Sequence, residues 1–343
     1  MRAMILRKPG KYSSTAALLE LADVATPSAG DGELLVRVSL CAVCRTDLDV
    51  AEGRVVAPHY PVIPGHQIVG DVAALGRGVR GFREGDRVGV AWINYADGSW
   101  RWCRAGLENL CPNFRSTGCD VDGGYAEYAV VPAPFAHTIP NKLTDAEAAP
   151  LLCAGAIGWR SLRLTRLADG EVLGLSGFGA SAHLVLQVAR QRYPASPMYV
   201  FARSEEERAF ANELGATWVG NFTDAPPQPL DAVIDTTPVW KPLVELLPRL
   251  APAGRFVINA ISKSSTDQNE LLRLNYASHL WMEREIKSVA NVTREDVRQL
   301  LALVADSGLR PTIEILPLEE ANQALGRLST GARMRGAMVL SVG

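Results

Sequence analysis

The 343-residue sequence lacks a long apolar run, a basic tail and any extended block of like charge. A membrane-spanning helix needs about 20 consecutive apolar residues, and no stretch of the chain approaches that length. Lysine and arginine number 35 against 37 aspartate and glutamate, for a formal net charge of −2. This balance argues against nucleic acid or an anionic membrane as the main partner. The apolar part of the first ten residues is too short for a secretory signal, so we expect a cytoplasmic protein.

Cysteine is scarce, with six residues in the chain, which points to thiols or metal ligands rather than a disulfide framework. Cys44 lies in Cys-Ala-Val-Cys-Arg-Thr-Asp (41–47), His66 in Pro-Val-Ile-Pro-Gly-His-Gln (61–67) and Cys153 in Pro-Leu-Leu-Cys-Ala-Gly (150–155). Two thiolates and one imidazole leave an open position on a tetrahedral zinc ion, which is typical of a catalytic site. We interpret Cys41 and Cys119 as small buried apolar residues.

The rhythm of the sequence changes along the chain and predicts two domains. Short apolar runs separated by Gly, Pro and Asp indicate a β-rich region over residues 1–150. From about residue 155 to 290, strand-like runs alternate with helix-like segments, which predicts an α/β fold with a doubly wound parallel sheet. Thr293 is a candidate N-cap for a helix that packs back onto the N-terminal part. We therefore predict one domain from 1–154 and 291–343 and a second from 155–290.

A glycine-rich turn marks a candidate dinucleotide site. Gly177-x-Gly179-x-x-Ala182 follows a predicted strand and precedes a predicted helix. Gly177 allows the tight turn, Gly179 lets the backbone approach a pyrophosphate, and Ala182 keeps the helix close to the strand. We predict cofactor contacts from Gly177, Gly179, Ala180 and Ala182. Because the turn has the required strand–turn–helix context, we favour this interpretation over a chance glycine-rich turn.

The end of the next predicted strand bears on the choice of nicotinamide. The segment reads Tyr-Val-Phe-Ala-Arg-Ser (199–204), and Ala202 stands where an NAD site usually has an acidic residue. Arg203 and Ser204 are suited to holding a 2′-phosphate. The alternative is that Arg203 only stacks on adenine or is solvated. We predict a preference for NADP(H) over NAD(H).

Five segments together resemble the zinc-dependent medium-chain alcohol dehydrogenases, including the branch around cinnamyl alcohol dehydrogenase. They are Cys-Arg-Thr-Asp (44–47), Gly-His (65–66), Asp-Gly-Gly-Tyr-Ala-Glu-Tyr (122–128), Leu-Cys-Ala-Gly (152–155) and the Gly177 turn. The resemblance covers essentially the whole chain. It implies a GroES-like β-rich catalytic domain, a Rossmann cofactor domain, interconversion of alcohols with aldehydes or ketones by hydride transfer, and a homo-oligomer, either dimer or tetramer. It also implies that Cys44, His66 and Cys153 bind the catalytic zinc.

The resemblance assigns roles to residues around these ligands. Thr46 would relay the alcohol proton, unless it is only a strand-end cap. Asp47 would bond the far nitrogen of His66 and fix its tautomer. Arg45 would contact the cofactor pyrophosphate, the alternative being a solvated surface arginine. Trp92 would line the substrate pocket, with core packing as an equal alternative.

The sequence departs from the family pattern close to the predicted metal. Gln67 stands where many relatives have glutamate, and its neutral amide is a weaker ligand. We expect three protein ligands on the zinc and Gln67 beside them in the substrate pocket. Asp49 stands where many relatives carry the histidine that ends the proton relay. It would be a different terminal base, or it is only a solvated surface acid.

A second departure affects the structural-zinc lobe. Relatives carry four cysteines spaced C-x₂-C-x₂-C-x₇-C, but here the positions read Asp97, Trp100, Cys103 and Cys111. Asp97 offers a third donor, whereas tryptophan offers none, and a closed structural site wants four. We predict that this zinc is lost, that the lobe persists through apolar packing of Trp100 and Trp102, and that each chain binds one zinc ion.

The sequence also bears on the class of substrate. A small molecule of the primary aliphatic or aromatic alcohol and aldehyde class is favoured. The alternative is a polyol or sugar dehydrogenase of the same family. A zinc-independent quinone or enone reductase is disfavoured because that branch lacks the ligand set. A non-catalytic NADPH-binding protein is a further alternative, and the intact ligand set weighs against it.

Overall fold

The chain leaves its first folding unit at residue 156 and returns to it at residue 291. Unit 1 comprises Met1–Ala156 and Asn291–Gly343, and unit 2 comprises Ile157–Ala290. The computed structural model describes residues 1–13, 17–330 and 335–343. Within these ranges, no helix is both long enough and apolar enough to cross a membrane.

The first segment of unit 1 consists mainly of short strands. Its strands are β1 (Arg2–Ile5), β2 (Glu20–Asp23), β3 (Glu33–Ala42), β4 (Ile68–Leu75), β5 (Arg87–Val90), β6 (Ile93–Tyr95), β7 (Arg115–Ser116), β8 (Tyr128–Pro132) and β9 (Ala136–Thr138). Its α-helices are α1 (Arg45–Ala51), α2 (Arg101–Arg104) and α3 (Asp145–Ala148), with 3₁₀ turns at Glu108–Leu110, Ala133–Phe135 and Ala149–Leu152.

Unit 2 alternates strands with helices, as the sequence predicts. Helix α4 (Ala154–Thr165) leads into it. The elements that follow are β10 (Leu173–Ser176), α5 (Ala182–Arg192), β11 (Met198–Phe201), α6 (Glu205–Glu213), β12 (Trp218–Gly220), β13 (Leu230–Asp235), α7 (Lys241–Leu246), β14 (Leu250–Ile258) and β15 (Glu285–Ser288). Short helical turns lie at Leu247–Arg249, Gln268–Arg273 and Tyr276–Leu280.

The returning segment completes unit 1. It contains α8 (Arg294–Ser307), β16 (Ile313–Pro317), a 3₁₀ turn at Leu318–Glu320, α9 (Ala321–Thr330) and β17 (Ala337–Ser341). The predicted cap of α8 is confirmed, because Thr293 Oγ1 accepts a hydrogen bond from the Asp296 amide at 3.1 Å. The helix ends at Gly308, whose φ of 72° is left-handed.

The main sheet of unit 1 runs in the order β16-β17-β3-β4-β5-β9, with β8 also paired to β3. Strand β3 is antiparallel to both β17 and β4. Cys41 at the end of β3 lies opposite Ile68 at the start of β4. The segments that carry Cys44 and His66 therefore emerge at the same edge of this sheet.

The sheet of unit 2 is parallel, with strand order β12-β11-β10-β13-β14-β15. This is the doubly wound order, in which β11 and β12 are added on one side of the central β10 and β13, β14 and β15 on the other. Every residue of β10 and β11 is buried, as expected when helices cover both faces. The α/β fold class predicted from the sequence is confirmed.

Candidate functional site

Three predicted metal ligands come together in unit 1. One ligand atom each from Cys44, His66 and Cys153 lies within 4.8 Å of the other two. Cys44 is the residue before α1, and His66 lies just before β4. Cys153 follows the 3₁₀ turn Ala149–Leu152 and precedes α4. Residues separated by more than 100 positions thus form one cluster, with the two sulfurs and the imidazole that the sequence predicts.

The carboxylate of Asp47 holds this cluster together. Its Oδ1 accepts a hydrogen bond from His66 Nδ1 at 2.8 Å. Its Oδ2 accepts from the Cys44 backbone N–H at 2.8 Å and from the Tyr125 hydroxyl at 2.9 Å. Asp47 and His66 are both buried, so these contacts are shielded from water. The arrangement fixes the His66 tautomer with its proton on Nδ1, which leaves Nε2 as the nitrogen with a lone pair.

Sequence reasoning missed the contribution of Tyr125. The residue lies in the segment 122–128, but nothing in its spacing connects it with Asp47. The glycine at position 65 is the sequence feature that relates to Tyr125. Its φ is +97°, and a Cβ added there would lie 2.4 Å from the Tyr125 ring. Only glycine lets the ring lie against the backbone beside His66. Burial and the nearby Asp47 charge raise the pKa of the Tyr125 hydroxyl well above its usual value, so it acts as a donor.

The other imidazole nitrogen, His66 Nε2, is buried and has no hydrogen-bond partner among the residues that the structure describes. A buried nitrogen with no partner is costly unless a ligand uses its lone pair. The Trp92 ring packs edge-on against the imidazole, with centroids 4.8 Å apart and planes at 78°. Trp92 is itself buried, so it both packs in the core and forms one wall beside His66.

Gln67 is buried next to the ligand histidine and bonds to the Cys153 loop. Its side-chain Oε1 accepts a hydrogen bond from the Ala154 amide at 3.1 Å. Because Ala154 directly follows Cys153, this bond connects two of the three ligand segments. The Gln67 side chain therefore orients the cluster through its amide oxygen.

The protonation of the cluster in the absence of a metal reflects its crowding. A hydrogen bond from Cys153 lowers the pKa of Cys44 to about 5, against the effect of burial and with help from the charge of His66. The same hydrogen bond and burial raise the pKa of Cys153 well above its usual value. For His66, burial alone would lower the pKa, but the negative charges of Asp47 and Cys44 outweigh it and raise the pKa to about 10. At neutral pH, Cys153 and His66 therefore carry the protons that a bound cation would displace, while Cys44 is a thiolate.

Helix α1 carries three further residues of interest. Thr46 lies half-buried in the first turn. Asp49 is buried, and its Oδ1 accepts hydrogen bonds from Arg54 Nε at 2.7 Å and from Arg45 Nε at 3.3 Å. The alternative of a solvated surface acid is therefore wrong for Asp49, because two guanidinium groups cover its carboxylate. Arg45 also donates to the Leu328 carbonyl at 3.3 Å, so it is anchored rather than freely solvated.

The lobe in which we predict the loss of the structural zinc is organised by Asp97. Its Oδ1 accepts hydrogen bonds from the Ser99 amide at 2.8 Å and the Ser99 hydroxyl at 3.0 Å, and its Oδ2 from Asn113 Nδ2 at 2.8 Å. These bonds hold the pKa of the Asp97 carboxyl far below its usual value. Ligand atoms of Asp97, Cys103 and Cys111 lie within 4.8 Å of one another, which is one donor short of a closed site.

The prediction that tryptophan packing maintains this lobe is wrong. Trp100 is 47% and Trp102 38% exposed. The Arg101 guanidinium instead lies 4.4 Å from the Trp102 ring centroid at the surface. Hydrogen bonds to Asp97, rather than buried indoles, connect the segments of this lobe.

In unit 2, the glycine-rich turn lies between β10 and α5. Gly177 has a φ of 78°, and an added Cβ would lie 3.0 Å from Thr236 Oγ1, so only glycine fits. A Cβ on Gly179 would meet nothing within 4 Å, which leaves open space beside the turn. Ala182 is fully buried at the start of α5. The turn therefore has the shape of a phosphate cradle, and its predicted cofactor contacts stay a prediction.

His183, which sequence reasoning did not single out, supports this turn. Its Nδ1 donates to the Gly179 carbonyl at 3.2 Å, and its ring stacks on Phe210. Burial lowers the pKa of the imidazole to about 4, so it is neutral at physiological pH. Histidine at the second position of a helix gives no pattern in the sequence that would predict this contact.

The end of β11 presents an exposed cation and a capped helix. Ala202 is fully buried, and Arg203 beyond it is exposed. Ser204 caps α6, since its Oγ accepts from the Glu207 amide at 3.2 Å. Arg208, missed in the sequence, donates to the carbonyls of Ala202 and Arg203 at 2.8 and 3.0 Å. Two guanidinium groups thus lie near this strand end.

Comparison with known proteins agrees with these observations. Residues 30–141 match the family described as alcohol dehydrogenase GroES-like domain, and residues 208–340 match the family described as zinc-binding dehydrogenase. A probable alcohol dehydrogenase of Mycobacterium tuberculosis (strain CDC 1551 / Oshkosh) is 43% identical over 100% of this chain and 97% of its own length.

Two solved structures are similar over nearly the whole chain. The cobalt- and zinc-bound thermostable alcohol dehydrogenase from Pyrobaculum aerophilum has a TM-score of 0.85 at 27% identity and covers 99% of both chains. A cinnamyl alcohol dehydrogenase from Sorghum bicolor has a TM-score of 0.84 at 25% identity, covering 99% of this chain and 97% of its own. The chain therefore belongs to the zinc-dependent medium-chain alcohol dehydrogenase family and is an alcohol dehydrogenase enzyme.

Proposed function

We propose that this enzyme interconverts alcohols with aldehydes or ketones by hydride transfer, using one zinc ion bound by Cys44, His66 and Cys153 and a nicotinamide cofactor bound by unit 2. The observation that carries the proposal is the buried, unpartnered Nε2 of His66 among two cysteine sulfurs. Two sulfurs and one imidazole suit zinc and leave a fourth position open. Unit 1 would be the catalytic domain and unit 2 the cofactor domain.

The residues around the ligands have distinct tasks in this proposal. A zinc ion, when bound, supplies a Lewis acid that makes an alcohol hydroxyl more acidic. Asp47 accepts the Nδ1 proton of His66 and so directs Nε2 toward the metal position, and Tyr125 and the Cys44 amide hold Asp47 in place. Thr46, two residues from Cys44, offers a hydroxyl that accepts the alcohol proton and passes it to solvent.

Metal analysis of two matched serine variants tests the zinc assignment. Cys153→Ser should lose most of its zinc and its alcohol oxidation, because one thiolate ligand is gone. Cys103→Ser, the matched control in the Asp97 lobe, should keep the zinc content of the wild type at one ion per chain. Full zinc occupancy with normal turnover in Cys153→Ser would refute the ligand set. Two zinc ions per wild-type chain would refute the loss of the structural site.

A preference for NADP(H) is the finer part of the cofactor proposal. It is supported by the buried Ala202 in place of an acidic residue and by the guanidinium groups of Arg203 and Arg208 at the end of β11. A guanidinium binds a phosphate through two charge-assisted hydrogen bonds. Arg203→Ala should lower kcat/KM for NADPH while leaving that for NADH nearly unchanged. A wild-type kcat/KM at least tenfold higher with the NAD cofactor than with the NADP cofactor would refute this preference.

The favoured substrates are primary aliphatic or aromatic alcohols and the matching aldehydes. The support is the apolar face of Trp92, which packs against His66 at a centroid distance of 4.8 Å. An indole wall favours apolar over polyhydroxylated substrates, because sugar hydroxyls would lose hydrogen bonds to water there. Turnover of a panel containing ethanol, benzyl alcohol, cinnamyl alcohol and sorbitol tests this. Highest kcat/KM for sorbitol would favour a polyol dehydrogenase instead.

A homo-oligomer is proposed through β15, which ends the unit 2 sheet. All four of its residues are exposed. Antiparallel pairing with a second copy, centred on Ile286, would place Glu285 opposite Lys287 of that copy at both ends. Trp281 and Met282, 56% and 49% exposed, lie just before the strand and would be covered. Charge complementarity and exposed apolar surface in one segment support a second copy as the partner.

A further inference from the structure

The indole N–H of Trp92 has a specific partner that the proposed reaction does not use. Trp92 follows β5, is only 6% exposed and packs edge-on against His66. A buried indole needs an acceptor for its N–H. That acceptor is Oδ1 of Asn291, at 2.9 Å from Trp92 Nε1. Asn291 is the residue at which the chain re-enters unit 1.

Asn291 meets three demands at once. Its φ is 51°, in the left-handed region that asparagine tolerates better than most residues. Its Oδ1 accepts from Trp92, and its Nδ2 donates to the Asn109 carbonyl at 3.3 Å. Aspartate would keep the acceptor but lose the donor, and glycine would keep only the backbone conformation. The amide is therefore oriented by contacts on both of its sides.

Arg294 and Glu108 hold together the two segments that contain Asn291 and Asn109. The Arg294 amide donates to Glu108 Oε1 at 2.8 Å, and Arg294 Nη2 contacts Glu108 Oε2 at 2.6 Å. Glu108 directly precedes Asn109. The segment 291–294 is therefore bonded to the segment 108–109 twice, once through Asn291 and once through Arg294. An anchored acceptor fixes the direction of the indole N–H, and with it the rotation of the ring against His66.

We propose that Asn291 is a positioning residue that acts through Trp92 to set the size of alcohol accepted beside His66. The proposal rests on the proposed zinc-dependent alcohol oxidation, in which Trp92 forms a wall of the substrate site. Without Asn291 the indole loses its anchor and populates other orientations. The wall is then less defined, and discrimination between small and bulky alcohols weakens.

The contact itself is tested without substrate or turnover. The indole ¹H–¹⁵N resonance of Trp92, identified by its loss in Trp92→Phe, should shift and exchange faster with water in Asn291→Gly. Ala253→Gly is the matched control, because Ala253 also has a positive φ, 57°, but lies in β14 of unit 2. It should leave the Trp92 resonance unchanged. An unchanged resonance in Asn291→Gly would overturn the proposal.

A double-mutant cycle tests the effect on selectivity. Loss of one buried hydrogen bond should change the ratio of kcat/KM for ethanol to that for cinnamyl alcohol about fivefold in Asn291→Gly. In a Trp92→Phe background the same substitution should change the ratio less than about twofold, since its target is gone. Equal effects in both backgrounds would show that Asn291 does not act through Trp92.

A conservative variant separates positioning from folding. Asn291→Asp retains an acceptor for the indole, so it should keep the wild-type selectivity and indole resonance even where its thermal stability falls. Loss of both in Asn291→Asp with a native fold would contradict the proposal. If the wild type shows no zinc-dependent alcohol turnover, the proposed function and the selectivity role fail, while the resonance still decides whether Asn291 holds Trp92.

Discussion

Asp47 accepts hydrogen bonds from three parts of unit 1, and it does so with two carboxylate oxygens. Two of the donors, Tyr125 and the Cys44 amide, share Oδ2, while His66 alone uses Oδ1. Such partners orient a ligand histidine and raise its basicity. The zinc affinity of the proposed site should therefore depend on a residue outside its three ligands.

Removing the Asp47 carboxylate should weaken zinc binding more than removing one of its hydrogen-bond donors. Asp47→Asn should weaken zinc binding about 10- to 100-fold, because the amide cannot favour the correct His66 tautomer as a carboxylate does. Tyr125→Phe, which removes one of the three donors, should have a smaller effect in the same direction. Competition with a calibrated chelator measures both. Equal zinc affinity in wild type and Asp47→Asn would contradict the role given to Asp47.

Asp49 makes a separate prediction at the residue scale. Asp49→Asn should leave the pH dependence of kcat/KM unchanged, because Arg45 and Arg54 already engage the carboxylate. It should lower the free energy of unfolding by about 1–3 kcal/mol through weakened charged hydrogen bonds. Rate profiles and denaturant titrations measure the two effects. A displaced pH profile would instead support the relay role that the family resemblance implies for Asp49.

The sequence predicted individual residues better than it predicted their connections. Cys44, His66, Cys153 and Asp47 were identified because each lies in a short segment whose spacing resembles a family. Tyr125 and Asn291 were missed because they act through contacts between distant segments, and such contacts depend on sheet pairing rather than on local spacing. The burial of Asp49 was missed for the same reason, since its neighbour Arg54 lies beyond the end of α1.

At the level of single elements, the caps and parallel strands followed sequence rules closely. The α8 cap at Thr293 and the buried strands β10 and β11 agree with prediction.

Two elements, β9 and α5, each contain a buried histidine with a lowered pKa. Burial lowers the pKa of His137 in β9 to about 4, with help from the charges of Arg298 and Arg294 on α8. Burial likewise lowers that of His183 in α5 to about 4.

These two histidines predict acid sensitivity. The unfolded chain takes up a proton on each imidazole near pH 6.5, whereas the folded chain resists until about pH 4. Their contribution to stability is therefore complete above about pH 6.5 and is lost as the pH falls toward 4. Between pH 7 and pH 5 the loss should be roughly 4 kcal/mol for the pair.

Denaturant unfolding at pH 7 and pH 5 measures this loss. His137→Gln, which cannot take up a proton, should show about half of the wild-type dependence. An identical dependence in wild type and His137→Gln would show that His137 is not held neutral by its surroundings.

On the scale of the whole molecule, the order of charges along the edge strand β15 would determine how a second copy of the chain pairs with the first. In β15 the acidic Glu285 and the basic Lys287 lie on the same face, one residue to either side of Ile286. Antiparallel self-pairing about Ile286 brings unlike charges together, whereas a shift of register brings like groups closer. In the proposed assembly, this one short strand would specify both the partner and the alignment.

Charge reversal tests this alignment. Glu285→Lys and Lys287→Glu should each weaken self-association, because like charges then face each other. The double variant Glu285→Lys/Lys287→Glu restores opposite charges and should recover it. Light scattering after size exclusion reports mass in multiples of the 37.0 kDa chain. A wild type of 37.0 kDa, or a double variant no better than the single ones, would refute the pairing.

The hydrogen bonds around Asp97 bear on how the protein responds to removal of zinc. Hydrogen bonds from Ser99 and Asn113 to Asp97 close this turn through protein contacts. Treatment with a chelator would then silence the chemistry at His66 while the lobe kept its shape, and later addition of zinc would restore activity without refolding. With the proposed single zinc ion per chain, a cell would need half as much zinc for this enzyme as for a relative with both sites filled.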